Sequence, residues 1–461
     1  MPREIQSYDA IVIGSGQGGN PLARQLAERG ERVALIEPDH LGGTCINTGC
    51  TPTKAMVASA QIAHYARNAQ RWGVRAAQVS VDLPAVVRRK SEIVTSFRSG
   101  WQKKFDSNSH ITLYRERARF TGPKQIQAGN EVLEGKRIFI DTGSTAAIPE
   151  VDGLDSTPYL TNVSLLDLED LPAHLIVMGG GYVGLEFAQM FRRFGSEVTV
   201  IQSAGHILPN EDEDVTDELQ RCLEAEGIKF FVGSQASKVR GSNGQVEVTI
   251  QNSGGSRSVN GSHLLVATGR TPRTKDLDLG RAGVETDAKG FIKVNDRLET
   301  TAPDIWAIGD IKGGPAFTHI SYNDFQIIYG NVYEGKRLST TTRIVPYAVY
   351  TDPTLGRVGL TEKAARAEGR KLKIGKIPMS SVSRAIERSE TAGLLKLVVD
   401  AATDRVLGAS MLSVEGGELV QIIGTLMLAE KPYTLLKGAI YIHPTLAEGF
   451  FGLMDSVKPA D

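Results

Sequence analysis

The feature that most constrains the fold is a pattern that occurs twice: an apolar strand, a glycine-rich turn, a helix and a second apolar strand. The first copy runs YDAIVIG, GSGQGGN, NPLARQLAERG and ERVALIE, and the second is HLIVMGGGYVGLEFAQMFRRFGSEVTVIQ. Apolar runs that alternate with helices are typical of parallel sheets covered by helices. The duplication therefore predicts two Rossmann-like nucleotide-binding units in one chain.

The first glycine turn has the spacing G-x-G-x-x-G, formed by Gly14, Gly16 and Gly19 directly after the predicted strand. Such glycines permit a tight turn, the close approach of a pyrophosphate and the packing of helix against strand. The phosphates lie at the helix N-terminus, where free N–H groups favour anions. Glu37 ends the following strand, where an acid can bind both ribose hydroxyls.

The second turn contains Gly179, Gly181 and Gly184, and Gln202 stands at its strand end. An acid there would repel a 2′-phosphate and an arginine would attract one, whereas glutamine does neither strongly. His206 could help to bind a phosphate, although a single loop histidine is more often solvated. The choice between NADH and NADPH therefore stays open.

Two dinucleotide sites in one chain have a simple chemical interpretation. One holds a tightly bound FAD, and the other holds an exchangeable nicotinamide cofactor, NAD(P)H. The alternative is a duplicated fold in which one site is inactive.

Cysteine use points to redox chemistry. The chain has three cysteines, and Cys45 and Cys50 lie in GGTCINTGCTPTK, shortly after the first unit's second strand. Ligands of open α/β sheets bind near such strand ends, and one helical turn would bring the two sulfurs together. We interpret the pair as a redox-active disulfide that exchanges electrons with the flavin. Lys54 follows one turn later, and its charge could stabilise a thiolate or reduced flavin.

The alternatives for the cysteines are isolated thiols or a metal site. Zinc usually takes four ligands, and no second Cys/His pair occurs at finger spacing, so we assign no metal. Cys222, in DELQRCLEAEG, has no partner nearby in the sequence and is expected to pack in the interior.

A candidate acid–base group stands in YIHPTLAEGF, where His443 and Glu448 are five residues apart. A carboxylate that accepts from one imidazole nitrogen orients the ring and raises its basicity. Disulfide exchange needs such a group, because protons must move on and off thiols.

At these residues the chain resembles the class I pyridine nucleotide–disulfide oxidoreductases, such as dihydrolipoamide dehydrogenase, glutathione reductase and mercuric reductase. The resemblance covers essentially the whole chain, and GGTCINTGCTPTK and HPTLAE are among its most specific marks. IWAIGD matches a second flavin-contacting motif, which implies that Asp310 binds the ribityl chain. The resemblance implies further FAD contacts and crossover strands at Gly43, Thr44, Lys54, Thr142 and Gly143, and at Thr268 and Gly269 in VATGR.

The resemblance also implies a mechanism. Tyr182 would shield the flavin until NAD(P)H arrives, and Lys54 and Glu186 would form an ion pair near it. Cys50 would be the charge-transfer thiolate, Cys45 would exchange with the substrate sulfur, and His443 with Glu448 would be the acid–base. In this family the histidine comes from the other subunit, which implies a homodimer with a shared active site.

The expected fold is α/β, with two Rossmann-like domains, for FAD and NAD(P), and a C-terminal α+β dimerisation domain. We predict boundaries at 1–149 for the first part of the FAD domain, 150–269 for the NAD(P) domain, 270–340 for the central FAD-binding part, and 341–461 for the dimerisation domain. Residues 227–268 are expected to form a β-ribbon. The net charge of −1 gives no case for nucleic acid or an anionic membrane, and neither a secretory signal nor a membrane span is found, so we expect a cytoplasmic protein.

The substrate is less well indicated than the electron path. Mercuric reductases carry a C-terminal cysteine pair and a tyrosine at the base position, whereas this chain has His443 and no cysteine after Cys222. Glutathione reductases have arginines for the 2′-phosphate, and the corresponding segment IQSAGHILP of this chain has none. Dihydrolipoamide dehydrogenases usually have the pattern His-x-His-Pro, and this chain has Tyr441 in place of the first histidine. We expect dihydrolipoamide-like dithiol chemistry first and metal-ion reduction of the mercuric type second. A flavin-only oxidase or transhydrogenase and a redox-sensing regulator are weaker alternatives.

Overall fold

A computed structural model of the chain describes residues 5–242 and 244–460. Its α-helices are α1 Gly19–Glu28, α2 Gly43–Asn47, α3 Cys50–Arg67, α4 Leu83–Asp106, α5 Asn162–Leu165, α6 Tyr182–Phe194, α7 Glu213–Ala225, α8 Thr318–Tyr333, α9 Glu362–Ala367, α10 Ser383–Glu387, α11 Gly416–Leu428, α12 Thr434–Lys437 and α13 Phe450–Asp455.

The β-strands are β1 Ile5–Ile13, β2 Val33–Ile36, β3 Ile111–Tyr114, β4 Ala118–Gly122, β5 Gln125–Ala128, β6 Glu131–Ile140, β7 Ser144–Ala146, β8 His174–Met178, β9 Glu197–Ile201, β10 Lys229–Phe231, β11 Gln235–Ser242, β12 Gln245–Asn252, β13 Gly255–Gly261, β14 His263–Val266, β15 Arg270–Pro272, β16 Ile305–Ala307, β17 Pro346–Val349, β18 Thr354–Gly359, β19 Leu372–Pro378, β20 Leu394–Asp400, β21 Val406–Ser413 and β22 Lys458–Ala460. Short 3₁₀ turns include Gly309–Lys312 and Ala447–Gly449.

The chain divides into two compact units. The first comprises Met1–Ala55, Val87–Ala147 and Arg270–Arg343, and the second comprises Met56–Val86, Ile148–Gly269 and Ile344–Asp461. The domain boundaries expected from the sequence follow a different division of the chain, and they stay predictions.

The first unit is built on a sheet with the strand order β3-β2-β1-β6-β5-β4, and β16 also pairs with β6. The pairs β1–β2, β1–β6, β2–β3 and β6–β16 are parallel, and β4 and β5 add an antiparallel edge. Along β1, Val12 packs with Leu22 of α1 and Ile328 of α8, whereas its neighbours Ile11 and Ile13 belong to a cluster on the other face. Because successive side chains of a strand alternate, residues 10–13 of β1 are buried on both faces, which explains why this part of the strand is continuously apolar.

The second unit contains a parallel sheet, β10-β9-β8-β14, and an antiparallel sheet, β11-β12-β13. A six-stranded antiparallel sheet follows, β17-β18-β21-β20-β19-β22, and apolar residues of α11 and α13 share its core cluster. The expected fold class is confirmed. The β-ribbon expected over residues 227–268 is wrong at both ends, because β10 and β14 join the parallel sheet and only β11 to β13 form an antiparallel sheet. Both end segments are short apolar runs, which periodicity alone does not assign to a sheet.

A buried lysine pairs with acidic side chains from two of the chain segments that make up the second unit, Ile148–Gly269 and Ile344–Asp461. Lys396 lies in β20 with 3% of its side chain exposed, and its Nζ is 3.2 Å from Asp212, 2.8 Å from Asp214 and 2.9 Å from Glu362. Asp212 and Asp214 stand at the start of α7, and Glu362 begins α9. Loss of one member of such a buried network is costly, because it leaves the other charges uncompensated.

We expect Lys396→Met to lower the free energy of unfolding by about 3 kcal/mol, because the buried Asp212 loses its cation, while Asp214 and Glu362 keep only Lys376 and Arg366. Urea unfolding followed by circular dichroism measures this change. Lys437→Met is the matched control, since Lys437 pairs with Asp455 where both side chains are more than half exposed, and it should leave the free energy of unfolding nearly unchanged.

The same network predicts a pH dependence. Burial alone would raise the pKa of Asp214 and of Glu362, but two cations at each carboxylate, Lys396 with Lys376 or with Arg366, together outweigh it. Each pKa therefore lies below its ordinary value, 3.8 and 4.5 respectively. The stabilisation is therefore fully present above those ordinary values and is lost as pH falls from them through the lower pKa values of the folded state. The difference between the wild type and Lys396→Met should shrink on acidification, and a difference that grows would contradict this account.

Candidate functional site

The first glycine turn is set by close backbone contacts. Gly14 has φ +100°, and a Cβ added to it would lie 2.3 Å from the carbonyl oxygen of Asp141. A Cβ on Gly19 would lie 2.3 Å from the carbonyl oxygen of Gly14, and one on Gly16 would lie 2.6 Å from Oδ2 of Asp141. Each glycine is therefore required sterically, and α1 begins directly at the turn, where the backbone N of Gly19 donates to Oδ2 of Asp141 at 2.7 Å.

Glu37 connects this turn to the strand that follows. It is 8% exposed, and its Oε2 accepts hydrogen bonds from the backbone N (3.0 Å) and Oγ (2.7 Å) of Ser15. Its Oε1 accepts from the backbone N of Asp39 at 3.0 Å. A carboxylate has about four acceptor positions, so Glu37 keeps capacity for ribose hydroxyls.

The cysteine segment packs on the same turn. The backbone N of Gly42 donates to the carbonyl oxygen and to Oγ of Ser15, both at 3.1 Å. Gly43 has φ +60°, and a Cβ on it would lie 2.8 Å from Cα of Gly16. Thr44 is the second residue of α2, so the segment leads from the glycine turn straight to the cysteines.

Cys45 and Cys50 lie in two different helices. Cys45 is in α2, and Cys50 is the first residue of α3, so the single helical turn expected between them is wrong: the helix ends at Asn47 and restarts. Cys45 is half-buried, whereas Cys50 is exposed. A hydrogen bond with Cys50, together with burial, raises the pKa of Cys45, and the nearby charge of Lys54 opposes this rise.

Sequence reasoning missed Thr318 as a partner of the cysteine pair. Its Oγ1 is 3.2 Å from Sγ of Cys50, a hydrogen-bonding distance for sulfur. Thr318 is the first residue of α8, and no motif spacing connects it with a cysteine 268 residues earlier.

Asp310, the expected ribityl-binding residue, lies in the 3₁₀ turn Gly309–Lys312. Its Oδ2 accepts a hydrogen bond from Oγ of Ser144 at 2.5 Å and is 3.5 Å from Nε of Arg270. Ser144 and Arg270 belong to β7 and β15, which pair antiparallel directly after the segments that contain Thr142–Gly143 and Thr268–Gly269. The two expected crossover segments therefore lead into one two-stranded sheet.

The second glycine turn repeats the geometry of the first. A Cβ on Gly179 would lie 2.3 Å from the carbonyl oxygen of Ala267, and one on Gly184 would lie 2.0 Å from the carbonyl oxygen of Gly179. A Cβ on Gly181 would meet no atom within 4 Å, so this glycine leaves open space where α6 begins at Tyr182.

Gln202 takes the position that Glu37 has in the first unit. Its Oε1 accepts a hydrogen bond from the backbone N of Gly180 at 3.2 Å, as Glu37 accepts from Ser15. Nδ1 of His206 is 2.9 Å from the carbonyl oxygen of Ile207. The strand-end side chain is buried and uncharged, so it does not oppose a 2′-phosphate electrostatically.

His443 and Glu448 meet as a pair. Nδ1 of His443 is 3.0 Å and 2.9 Å from the two carboxylate oxygens of Glu448. The histidine side chain is 67% exposed and the glutamate 25%, so the ring is oriented by Glu448 while Nε2 is accessible. This geometry suits proton transfer to a group that arrives from outside the unit.

Two further residues that the sequence analysis named, Glu186 and Cys222, are buried in the second unit. Glu186 is 5% exposed in α6, and its Oε1 accepts from the backbone N of Tyr350 at 2.8 Å, while its expected pairing with Lys54 stays a prediction. Cys222 is 8% exposed, and burial together with the charge of Glu218 raises its pKa to about 12. Such a thiol is almost entirely protonated at neutral pH and hence unreactive.

Comparison with known proteins decides the family. Residues 8–324 match the family model of pyridine nucleotide-disulphide oxidoreductases, and residues 345–452 match the dimerisation domain of the same family. The chain belongs to the pyridine nucleotide-disulphide oxidoreductases. It is a flavoprotein disulfide oxidoreductase that uses FAD and NAD(P)H, as this family does.

Its relatives in the family include three kinds of enzyme. The probable pyridine nucleotide-disulfide oxidoreductase RclA of Escherichia coli is 36% identical over 462 residues, covering 98% of this chain and 100% of that protein. A dihydrolipoyl dehydrogenase of Thermus scotoductus is 36% identical and covers 96% of both chains. A mercuric reductase of Bacillus cereus is 33% identical over 90% of this chain and 66% of its own.

Solved structures agree with these matches. The HOCl-induced flavoprotein disulfide reductase RclA of Escherichia coli superposes with a TM-score of 0.90 over 98% of this chain and 100% of that one. A Cu(II) complex of the same enzyme gives a TM-score of 0.89 over 97% and 100%.

The first unit of this oxidoreductase fits FAD by its own geometry. A pyrophosphate requires close approach to the backbone, which the turn at Gly16 and the helix N-terminus beyond it permit. A ribose requires an acceptor, which the buried acid Glu37 provides. None of the helices in residues 5–242 and 244–460 combines the length and apolar character of a membrane span.

The coenzyme preference of this oxidoreductase should respond to charge at position 202. We expect Gln202→Glu to lower kcat/KM for NADPH about tenfold, because a carboxylate beside the turn repels a 2′-phosphate, and to leave NADH nearly unaffected. Steady-state kinetics with both coenzymes measure this. Gln251→Glu is the control, since Gln251 is exposed on β12 and adds the same charge elsewhere in the unit. An equal loss with both coenzymes would contradict the assignment.

Proposed function

We propose that the enzyme passes electrons from NAD(P)H through FAD and the Cys45–Cys50 pair to a small disulfide, or in reverse from a dithiol, with chemistry most like that of dihydrolipoamide dehydrogenase. The observation that carries the proposal is the bidentate contact of Glu448 with Nδ1 of His443. A metal ion or quinone acceptor needs no oriented imidazole, whereas thiol–disulfide exchange must add and remove a proton at sulfur.

The two cysteines have different roles in this proposal. FAD, when bound, supplies the two-electron link between nicotinamide and sulfur. Cys50 is the thiolate next to the flavin, and the hydroxyl of Thr318 stabilises its charge at 3.2 Å. Cys45 holds the remaining proton of the reduced pair, in keeping with its raised pKa, and it is the thiol that exchanges with the substrate.

His443 is the acid–base. Glu448 occupies Nδ1 and stabilises the imidazolium, so Nε2 receives the proton of the attacking thiol and returns it to the leaving thiolate. With an exposed ring, His443 is accessible to a group that lies outside its own unit.

The cofactor assignments complete the proposal. FAD binds to the first glycine turn and to Glu37, Gly43, Thr44, Lys54 and Asp310, with Thr142 and Gly143 beside them. The second turn with Gln202 and Gly269 binds the nicotinamide dinucleotide, and Tyr182 at the start of α6 shields the flavin. Lys54 and Glu186 form a charged pair near the flavin.

We also propose a homodimer in which His443 serves the partner's cysteine pair. The matched dimerisation domain supports this, since exposed apolar side chains flank the histidine: Ile440 is 99% exposed and Ile442 is 78% exposed. Such side chains are costly to leave in water and are typical of interfaces. The proposed location is the cytoplasm, because a chain with only three cysteines does not have the disulfide-rich composition of small secreted domains.

Metal-ion reduction is the second candidate. It is favoured by the mercuric reductase relatives and by the structure of RclA described as a Cu(II) complex. In the described part of the chain, no group of three or more His, Cys, Asp or Glu side chains could hold a metal ion. The metal would therefore be a substrate that the cysteine pair binds through sulfur.

The two candidates differ in their need for His443. We expect His443→Ala to lower lipoamide turnover by roughly 10²- to 10⁴-fold, because the proton transfer is lost, while oxygen or quinone reduction by the flavin persists. NAD(P)H oxidation with lipoamide, glutathione disulfide, mercuric ion and cupric ion measures this. His110→Ala, which removes an exposed histidine, is the control. Unchanged lipoamide turnover combined with fast metal-ion turnover would favour the second candidate.

The cysteine roles have a spectroscopic test. Reduction of the wild type by one equivalent of NAD(P)H should produce a long-wavelength charge-transfer band, since a thiolate next to oxidised flavin donates to it. Cys50→Ser should abolish that band, and Cys45→Ser should keep it. A band that persists in Cys50→Ser would show that the roles of the two cysteines are reversed.

A further inference from the structure

Asp141 is a buried carboxyl in the wall of the first glycine turn, and none of the proposed roles uses it. It follows β6 directly and is 6% exposed. Its Oδ2 accepts a 2.7 Å hydrogen bond from the backbone N of Gly19, the first residue of α1. Its Oδ1 is 3.5 Å from Oγ of Ser321. A Cβ on Gly16 would lie 2.6 Å from Oδ2, so the carboxyl lies against the glycine where a pyrophosphate would approach.

The cations of this region are committed to other carboxylates. Asp324 of α8 is fully buried and is 3.2 Å from Lys312 and 2.6 Å from Arg343. Asp310 has Arg270 at 3.5 Å. Within residues 5–242 and 244–460, no Lys, Arg or His comes within 4 Å of the Asp141 carboxyl.

The groups that face Asp141 oppose its ionisation. The glycine turn GSGQGGN has no titratable side chain, and the elements on the other side contribute the carboxylates Asp310 and Asp324. Burial, together with the charges of these two residues, raises the pKa of Asp141 well above its ordinary value, although the N–H of Gly19 opposes the rise. An unpaired buried anion at this point would be costly, and the negative charges of a pyrophosphate would add to that cost.

We propose that Asp141 is a further flavin-binding residue, a neutral carboxylic acid that caps α1 and forms an uncharged wall of the FAD pyrophosphate site. The proposal rests on the assignment of the first glycine turn to FAD. The acid O–H is available on the Oδ1 side, for Ser321 or for a phosphate oxygen. Loss of this proton places a negative charge beside the pyrophosphate, so FAD binding and protonation of Asp141 are linked.

The sign of this linkage follows from the charges. FAD binding favours the protonated form, so the affinity for FAD is full below the pKa that Asp141 has in the FAD-free chain and falls above it. The fall can reach at most about tenfold per pH unit, since a single proton is involved. Replacement of the carboxyl by an amide removes the titration while keeping an acceptor for the N–H of Gly19.

The experiment follows the release of FAD from the diluted holoenzyme by free-flavin fluorescence, between about pH 6 and pH 10. The release rate of the wild type should rise with pH, and Asp141→Asn should release FAD at a nearly constant rate. Asp304→Asn, which neutralises a carboxylate 58% exposed in the same unit, should keep the wild-type profile. A flat wild-type profile, or the same rise in Asp141→Asn, would overturn the proposal.

Two further measurements cover the remaining outcomes. Infrared spectra of the wild-type holoenzyme should show a carboxylic-acid C=O band at neutral pH that disappears as FAD release accelerates. The absence of this band would overturn the proposal even if Asp141→Asn failed to fold. Gly16→Ala should abolish FAD binding, because its Cβ blocks the turn, and retention of FAD by this variant would refute the FAD assignment itself.

Discussion

The architecture of the redox site depends on one close approach of backbone to backbone. A Cβ on Gly43 would lie only 2.8 Å from Cα of Gly16. The first glycine turn and the cysteine segment therefore touch at two residues that have no side chain. Ser15 strengthens this contact by bonding both Glu37 and Gly42. The position of Cys45 is therefore set by the same residues that shape the dinucleotide turn, and a larger residue at either glycine would displace both.

The second unit uses the same backbone design with a different electrostatic result. In each unit the strand-end side chain accepts a hydrogen bond from the residue after the first glycine, Ser15 in one case and Gly180 in the other. The acceptor is the carboxylate of Glu37 in the first unit and the amide of Gln202 in the second. The same backbone geometry thus presents a charged side chain at the strand end of the first unit and an uncharged one at that of the second.

The features that the sequence predicts correctly are local or periodic. The strand–turn–helix–strand units depend on apolar periodicity and on glycines whose steric need is met within a few residues, and the pairing of His443 with Glu448 spans only five positions. Contacts between distant segments carry no such signal: Thr318 meets Cys50 across 268 residues, and Lys396 meets Asp214 across 182. The break between α2 and α3 was missed because cysteine spacing alone does not distinguish one helical turn from two helix ends. The sheet to which β10 and β14 belong depends on the strands with which they pair, and their own sequence pattern does not indicate it.

The buried charged residues of this chain differ in whether they are paired with an opposite charge, and this difference separates structural residues from a candidate for ligand binding. Lys396, Arg193 and Asp324 are each buried and each is paired with at least two opposite charges, so they hold segments together and have no charge left for a ligand. Asp141 is buried to a similar degree, but its strong contact is the backbone N–H of Gly19. Because a packed interior can hold an unpaired carboxyl only in its neutral form, the lack of a cation next to Asp141 is itself informative. It favours an uncharged Asp141, which still accepts a hydrogen bond from the backbone N of Gly19 but adds no negative charge at the N-terminus of α1.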